Sequence, residues 1–160
     1  MKKESEFCSV IVKSLDIGYK IPDPTGQYAK TIKRCFDIMG AHDISGFKYV
    51  LNSVYIEAKF NKTLSSFNLN RIEEHQAYYL SKFCDVKDSK CFVILGVYVG
   101  RGDLRAYIFD WEDLEPYYKA KKSILAKMLK VLPYNEVHKG TFKFEHIITE
   151  DELSVIFPAH

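Results

Sequence analysis

Hydrophobic and polar positions divide the chain into stretches of different period. Over residues 3–17, Phe7, Val10, Ile11 and Leu15 recur at helical spacing and predict an amphipathic helix that Gly18 ends. Val54, Ile56, Ala58 and Phe60 alternate with Tyr55, Glu57 and Lys59, the period-two pattern of a half-buried strand. A hairpin pairing 42–50 with 54–60 through Leu51-Asn52-Ser53 would bring Asp43 close to Glu57. A polar loop follows from Asn61 to Asn68. A helix is then expected from Asn70, with Asn70 as N-cap and Glu73 completing a capping box. Its apolar stripe is Ile72, Tyr79, Leu80 and Phe83; Gln76 lies on that stripe, and His75 lies off it and is expected to be exposed.

The near-continuous apolar run Phe92–Val99 predicts a central strand covered on both faces. Gly100-Arg101-Gly102-Asp103 turns the chain into an antiparallel strand over Leu104–Phe109. A helix is expected from Pro116, a favoured first position, towards Leu129, with Tyr117, Ala120, Ile124 and Met128 inward. Lys119, Lys121, Lys122, Lys127 and Lys130 decorate it, as a solvated face or as a DNA contact. A last strand is expected over Thr141–Ile147, and the tail from Thr149 gives no pattern. This order implies an α/β fold, a mixed central sheet flanked by helices.

Composition narrows the class. The 160 residues are 47% apolar and carry a net charge of +2, which suits one globular domain and means that any nucleic-acid contact is local. No apolar run reaches membrane-spanning length, and Met1–Glu6 does not read as a signal peptide. Cys8, Cys35, Cys84 and Cys91 lack paired zinc-ligand spacing, so reduced thiols in a cytoplasm are expected.

The candidate chemistry centres on Glu57 and Lys59. An acid two residues before a lysine on a strand suits metal-assisted phosphodiester hydrolysis, the carboxylate holding a hard cation and the lysine orienting water or offsetting phosphate charge. The competing reading is a solvated Glu/Lys sheet face. Asp85-Val86-Lys87 and Asp88-Ser89-Lys90 repeat the spacing, but in a polar stretch that reads as a turn. Asp43 is either a loop acid or the second carboxylate of a two-acid site. Gln76, an amide on an apolar stripe, needs hydrogen-bond partners and so implies a structural bond or a site. Glu6 borders the first helix's stripe and reads as a first-turn acid or a site residue. The Pro/Gly-rich segment Lys20–Gln27 precedes Lys30, Lys33 and Arg34; these three, with Lys62 just past the Glu57 strand, are candidate phosphate contacts.

Four features line up: Asp43-Ile44-Ser45-Gly46, Glu57-Ala58-Lys59, Ser66-Phe67-Asn68-Leu69 and His75-Gln76. Together they resemble the RecU family of Holliday junction resolvases, within the PD-(D/E)xK nuclease superfamily. The resemblance covers about residues 40 to 110 and is looser elsewhere. It implies a restriction-endonuclease-like nuclease domain over 1–160, with a short stalk-like segment at about 20–40. It implies Asp43, Glu57, Lys59 and Gln76 as catalytic residues, with Mg²⁺ or Mn²⁺ held by Asp43, Glu57 and the Ala58 carbonyl. Lys59 would position the water and Gln76 would hold lysine, water or phosphate; Glu6 would be the family's first-helix acid. It further implies a homodimer cutting branched DNA symmetrically in recombination and repair, in a bacterial or phage-infected cell, with a recombinase or branch-migration helicase as partner. Ala41, His42, Ser45 and Phe60 depart from the family's usual residues, and the stalk segment is short. The same core also serves flap-, end- and restriction-type nucleases, and a non-catalytic DNA- or recombinase-binding module is the remaining alternative.

Overall fold

A computed structural model describes residues 3–23, 33–47 and 50–158. Its centre is a seven-stranded mixed sheet. The strands run β1 (Ile17–Lys20), β2 (Ile38–His42), β3 (Asn52–Asn61), β5 (Ser89–Gly100) and β6 (Asp103–Asp110) across the sheet. Two short strands, β8 (Asn135–Glu136) and β9 (Ile147–Ile148), share the outer edge of β6. A two-stranded ribbon joins β4 (Phe67–Asn68) to β7 (Ser123–Ile124). The helices are α1 (Glu4–Ser14), α2 (Glu74–Cys84), α3 (Trp111–Lys119), α4 (Ala126–Leu129) and α5 (Glu150–Ile156). The α/β expectation of a mixed sheet with helices on its faces therefore holds.

Two apolar clusters sandwich the sheet. Ile38, Val54, Ile56, Ala58, Phe60, Phe92 and Ile94 meet Phe7, Cys8, Val10 and Ile11 of α1 on one face. Val93, Leu95, Val97, Tyr107 and Phe109 meet Leu80 of α2, Trp111 of α3 and Leu153 of α5 on the other. β5 is thus covered on both faces, as its continuous apolar run requires. It lies parallel to β3, with Glu57 beside Val93 and Lys59 beside Leu95. Gly96 lets α1 approach closely: a Cβ there would meet the Phe7 ring at 2.8 Å.

Several expected boundaries move. Gly18 does not end the first helix but lies within β1, paired with Gly40. β2 pairs with β3 through Ile38–Ile56 to His42–Asn52, so the partner of the Glu57 strand is 38–42 and not 42–50. The expected helix from Pro116 instead begins at Trp111, where the Asp110 side chain accepts the Glu112 N–H at 3.1 Å. It stops at Lys119, and Lys121 takes a left-handed φ of 57°, so Ile124 falls in β7 and Met128 in α4. The strand expected over Thr141–Ile147 is reduced to Ile147–Ile148. Thr149 and Glu152 form a capping box at the start of α5, a helix in the tail where no pattern was expected.

Candidate active site

Glu57 and Lys59 project from the face of β3 opposite the α1 cluster, yet this face is not solvated. Glu57 is 2% and Lys59 8% exposed. Lys59 Nζ donates to Glu57 Oε1 at 3.3 Å and to Gln76 Oε1 at 3.4 Å, and Gln76 Nε2 donates to Glu57 Oε1 at 2.6 Å. Gln76 Oε1 also accepts the Glu73 N–H at 2.8 Å. Gln76 is thus fixed at the third position of α2, with its amide spanning helix start and sheet. The expected Asn70–Glu73 box is shifted accordingly. Asn68 caps the 3₁₀ turn Leu69–Arg71, and Glu73 is the N-cap of α2. His75 is half-buried, with Nδ1 3.2 Å from Glu73 Oε2.

The acid beside Glu57 is Asp37. Regular β2–β3 pairing stops at Ile38–Ile56, and the chain entering β2 is clamped by its backbone. The Asp37 N–H donates to the Ile56 carbonyl at 3.1 Å, and the Asp37 carbonyl accepts the Ile21 N–H at 2.9 Å. Its side chain then replaces the missing strand, Oδ2 accepting the Ala58 N–H at 2.8 Å. Asp37 is 1% exposed, and Arg34 Nη2 lies 2.5 Å from its Oδ1. Burial pushes the Glu57 carboxyl up to about 9; the charge of Asp37 and a hydrogen bond with it act in the same direction, and Lys59 opposes them.

Asp43 does not join this group. It follows β2 at the end where His42 pairs with Asn52, whereas Glu57 lies at the end where Ile38 pairs with Ile56. At ~3.4 Å per residue the two are separated by roughly 20 Å along the strands. Asp43 instead organises its own turn, Oδ1 accepting the Gly46 N–H at 2.8 Å and the Ser45 hydroxyl at 3.3 Å. The physical reason is the register: the paired segment of β2 precedes Asp43.

On the first helix, Glu4 lies within electrostatic reach of the site. Burial pushes the Glu4 carboxyl up, Lys59 pulls it down, Asp37 raises it, and Arg71 and Arg34 lower it. Glu6 is exposed. Glu4 heads the stripe Phe7, Cys8 and Ile11 at i+3, i+4 and i+7, a signal present in the sequence. Asp37 also left one: it is a lone charge inside the apolar stretch Cys35-Phe36-Asp37-Ile38-Met39.

The candidate phosphate contacts divide. Lys62 is exposed immediately after β3. Lys33 is exposed, 3.8 Å from Glu73. Arg34 is not a free surface cation, since it is held between Asp37 and Asp23. Lys30 and the second half of the Pro/Gly segment, 24–27, lie outside the described residues. Arg71 braces the loop after β3: Nη1 donates to Asn61 Oδ1 at 2.5 Å and Nη2 to the Phe60 carbonyl at 3.1 Å. A cavity of about 560 Å³ between Tyr134 and His146 shares no residue with the cluster.

No protein-family model matches the chain, and no curated protein matches it in sequence. No helix among the described residues is long and apolar enough to cross a membrane.

Among the described residues no group of three or more His, Cys, Asp or Glu side chains is placed to hold a metal ion. Asp37 and Glu57 make two. A small hard cation such as Mg²⁺ commonly takes one or two carboxylates and completes its shell with water and substrate phosphate. Two buried acids in contact, one of them pushed far above its ordinary range, form a donor set that such a cation fits. Because the Ala58 N–H faces Asp37, the Ala58 carbonyl lies on the same edge of β3 and offers a third oxygen.

Proposed function

We propose that the chain is a metal-dependent, structure-selective DNA endonuclease with a restriction-endonuclease-like core, resolving four-way junctions by phosphodiester hydrolysis. The observation that carries this reading is the buried constellation of Asp37, Glu57, Lys59 and Gln76. A buried Glu-x-Lys pair with a second acid at the adjoining strand end is unusual for a solvated sheet face and expensive to maintain without a task.

Asp37 and Glu57, with the Ala58 carbonyl, would hold Mg²⁺ or Mn²⁺, which would supply positive charge to the scissile phosphate and a more acidic water. Lys59 presents its ammonium at the same place, able to orient the attacking water or to offset charge growing on the phosphate. Gln76 donates to Glu57 Oε1 and accepts from Lys59 Nζ, and so positions the carboxyl and the ammonium relative to each other. Glu4 adds a further acid at the rim. Lys62 and Lys33 are two described, exposed cations available for backbone phosphates.

RecU-type resolution as a homodimer, with a recombinase or branch-migration helicase as partner, rests on the motifs Glu57-Ala58-Lys59, Ser66-Phe67-Asn68-Leu69 and His75-Gln76. One observation favours a broader second reading, a nuclease of the same fold acting on another DNA substrate. Asp43, which the resolvase resemblance requires as a ligand, stands apart from the cluster, while the acid–acid–lysine chemistry is complete without it. Cleavage of four-way junction, flap and linear duplex side by side, with and without Mg²⁺, separates the two. Paired symmetric cuts on the junction alone support resolution. Cutting of flap or linear duplex at equal rate supports the broader reading, and no Mg²⁺-dependent cutting of any substrate rejects both.

A further inference from the structure

Arg34 has no part in the chemistry above, yet it is bound directly to it. Its guanidinium Nη2 lies 2.5 Å from Asp37 Oδ1, and its Nη1 lies 2.7 Å from Asp23 Oδ1. The Asp37 side chain is 1% exposed and the Asp23 side chain 76%. A single guanidinium therefore bridges a buried acid and a solvent-facing one. Nη1 also makes a long bond to the Ile21 carbonyl, at 3.5 Å.

The two oxygens of Asp37 are not equivalent. Oδ2 accepts the Ala58 N–H and closes the end of the β2–β3 ladder. Oδ1 is the oxygen left for a cation, and Arg34 holds it. Guanidinium and a hard divalent ion compete for the same carboxylate lone pairs and bring the same sign of charge. Lys59, the other cation of the cluster, is anchored on β3 and by Gln76. Arg34 sits in irregular chain between β1 and β2, so turning its side chain away from Asp37 breaks no helix or strand bond.

We propose that Arg34 stands in for the divalent cation: it neutralises Asp37 in the metal-free protein and gives up Oδ1 when the cation binds, keeping Asp23 as its partner. This rests on the reading of Asp37 and Glu57 as a cation site. Asp37 keeps its orientation during the exchange, because the Ala58 N–H, the Ile56 carbonyl and the Ile21 N–H hold it independently of Arg34. Removing the guanidinium therefore strips away a competitor and leaves the ligand in place.

The test is Mn²⁺ titration by calorimetry on the full chain, comparing wild type with Arg34→Gln and Arg34→Lys, together with melting curves in Mn²⁺ and in chelator. Arg34→Gln is expected to bind Mn²⁺ roughly tenfold tighter or more, the scale of one charge-assisted bond no longer competing. It should melt below wild type in chelator and gain more than wild type from Mn²⁺. Arg34→Lys, which keeps the charge but not the fork, should fall between them, and it carries the test if the glutamine variant does not fold. A folded Arg34 variant that binds Mn²⁺ no tighter than wild type overturns the exchange while leaving the cation site standing. Absence of Mn²⁺ binding by wild type and variants alike overturns the cation site and the exchange together.

Discussion

Replacing Glu57 with glutamine should make the metal-free protein more stable at alkaline pH while removing its capacity to bind a divalent cation. The carboxyl is 2% exposed and is pushed from 4.5 to about 9 by burial and by Asp37. A carboxyl raised in the folded state keeps its proton there while the unfolded chain loses it. Stability from this group is therefore fully present below 4.5 and is lost as pH rises towards about 9. At ~1.4 kcal/mol per pH unit, the loss by pH 8 is bounded at roughly 5 kcal/mol, and water entering beside the ionised group reduces it to about 2–3 kcal/mol. The glutamine amide does not titrate, and its oxygen can still accept from Lys59 Nζ and Gln76 Nε2. Urea denaturation of both proteins in chelator, from pH 5 to pH 9, measures the effect. Comparing the two at each pH cancels the contribution of the histidines. The variant should equal wild type near pH 5 and exceed it by about 2–3 kcal/mol at pH 8, or roughly 4–12 °C in melting temperature for a chain of this size. Parallel stability curves across that range, or a variant weaker at pH 8, would refute the assignment of a protonated buried carboxyl.

The same proton sets the pH dependence of cation binding. Glu57 must give it up, so Mn²⁺ affinity measured by calorimetry should rise by about tenfold per pH unit and level off near 9. Gln76→Leu removes the amide bonded to both Glu57 and Lys59; a stability loss of about 1–3 kcal/mol in urea and slower single-turnover cleavage at saturating Mg²⁺ are expected. Lys59→Met should slow that cleavage by about 10²–10⁴-fold while leaving Mn²⁺ binding in place, and unchanged cleavage would remove the lysine from the mechanism. Lys62→Ala should lower the salt slope of DNA binding by roughly 0.7–0.9 in a Ca²⁺-containing filter-binding assay, and an unchanged slope would mean that this cation does not reach a phosphate.

What the sequence disclosed and what it hid follow from different physics. β3 and β5 were legible because burial on a pleated sheet writes a short period or an unbroken apolar run, and both strands form where those patterns lie. Gln76 was legible because an amide on an apolar stripe demands partners, which here are Glu57, Lys59 and the Glu73 N–H. Asp37 shows in the sequence only as a lone charge in an apolar stretch; its task depends on register, because the pairing of Ile38 with Ile56 brings it beside Glu57. Glu4 shows in the sequence as the head of the stripe Phe7, Cys8 and Ile11, but only the packing of that stripe on the sheet, with Phe7 over Gly96, brings it within reach of Lys59 and Asp37. Arg34 read as a surface cation because its two acids are separated from it in opposite directions along the chain. The helix expected from Pro116 failed because one buried tryptophan and one Asp cap outweigh the preference of proline for a first turn.

The central claim is that the second carboxylate of the site is Asp37. Mg²⁺-dependent cleavage of a four-way junction by Asp37→Asn and Asp43→Asn tests it most directly, with folding checked by circular dichroism and Mn²⁺ binding measured on each protein. The account predicts that Asp37→Asn loses both cleavage and Mn²⁺ binding, while Asp43→Asn, altered only in an outlying turn, retains both at close to the wild-type level. Loss of both in folded Asp43→Asn, with Asp37→Asn still binding Mn²⁺ and cutting, would contradict it.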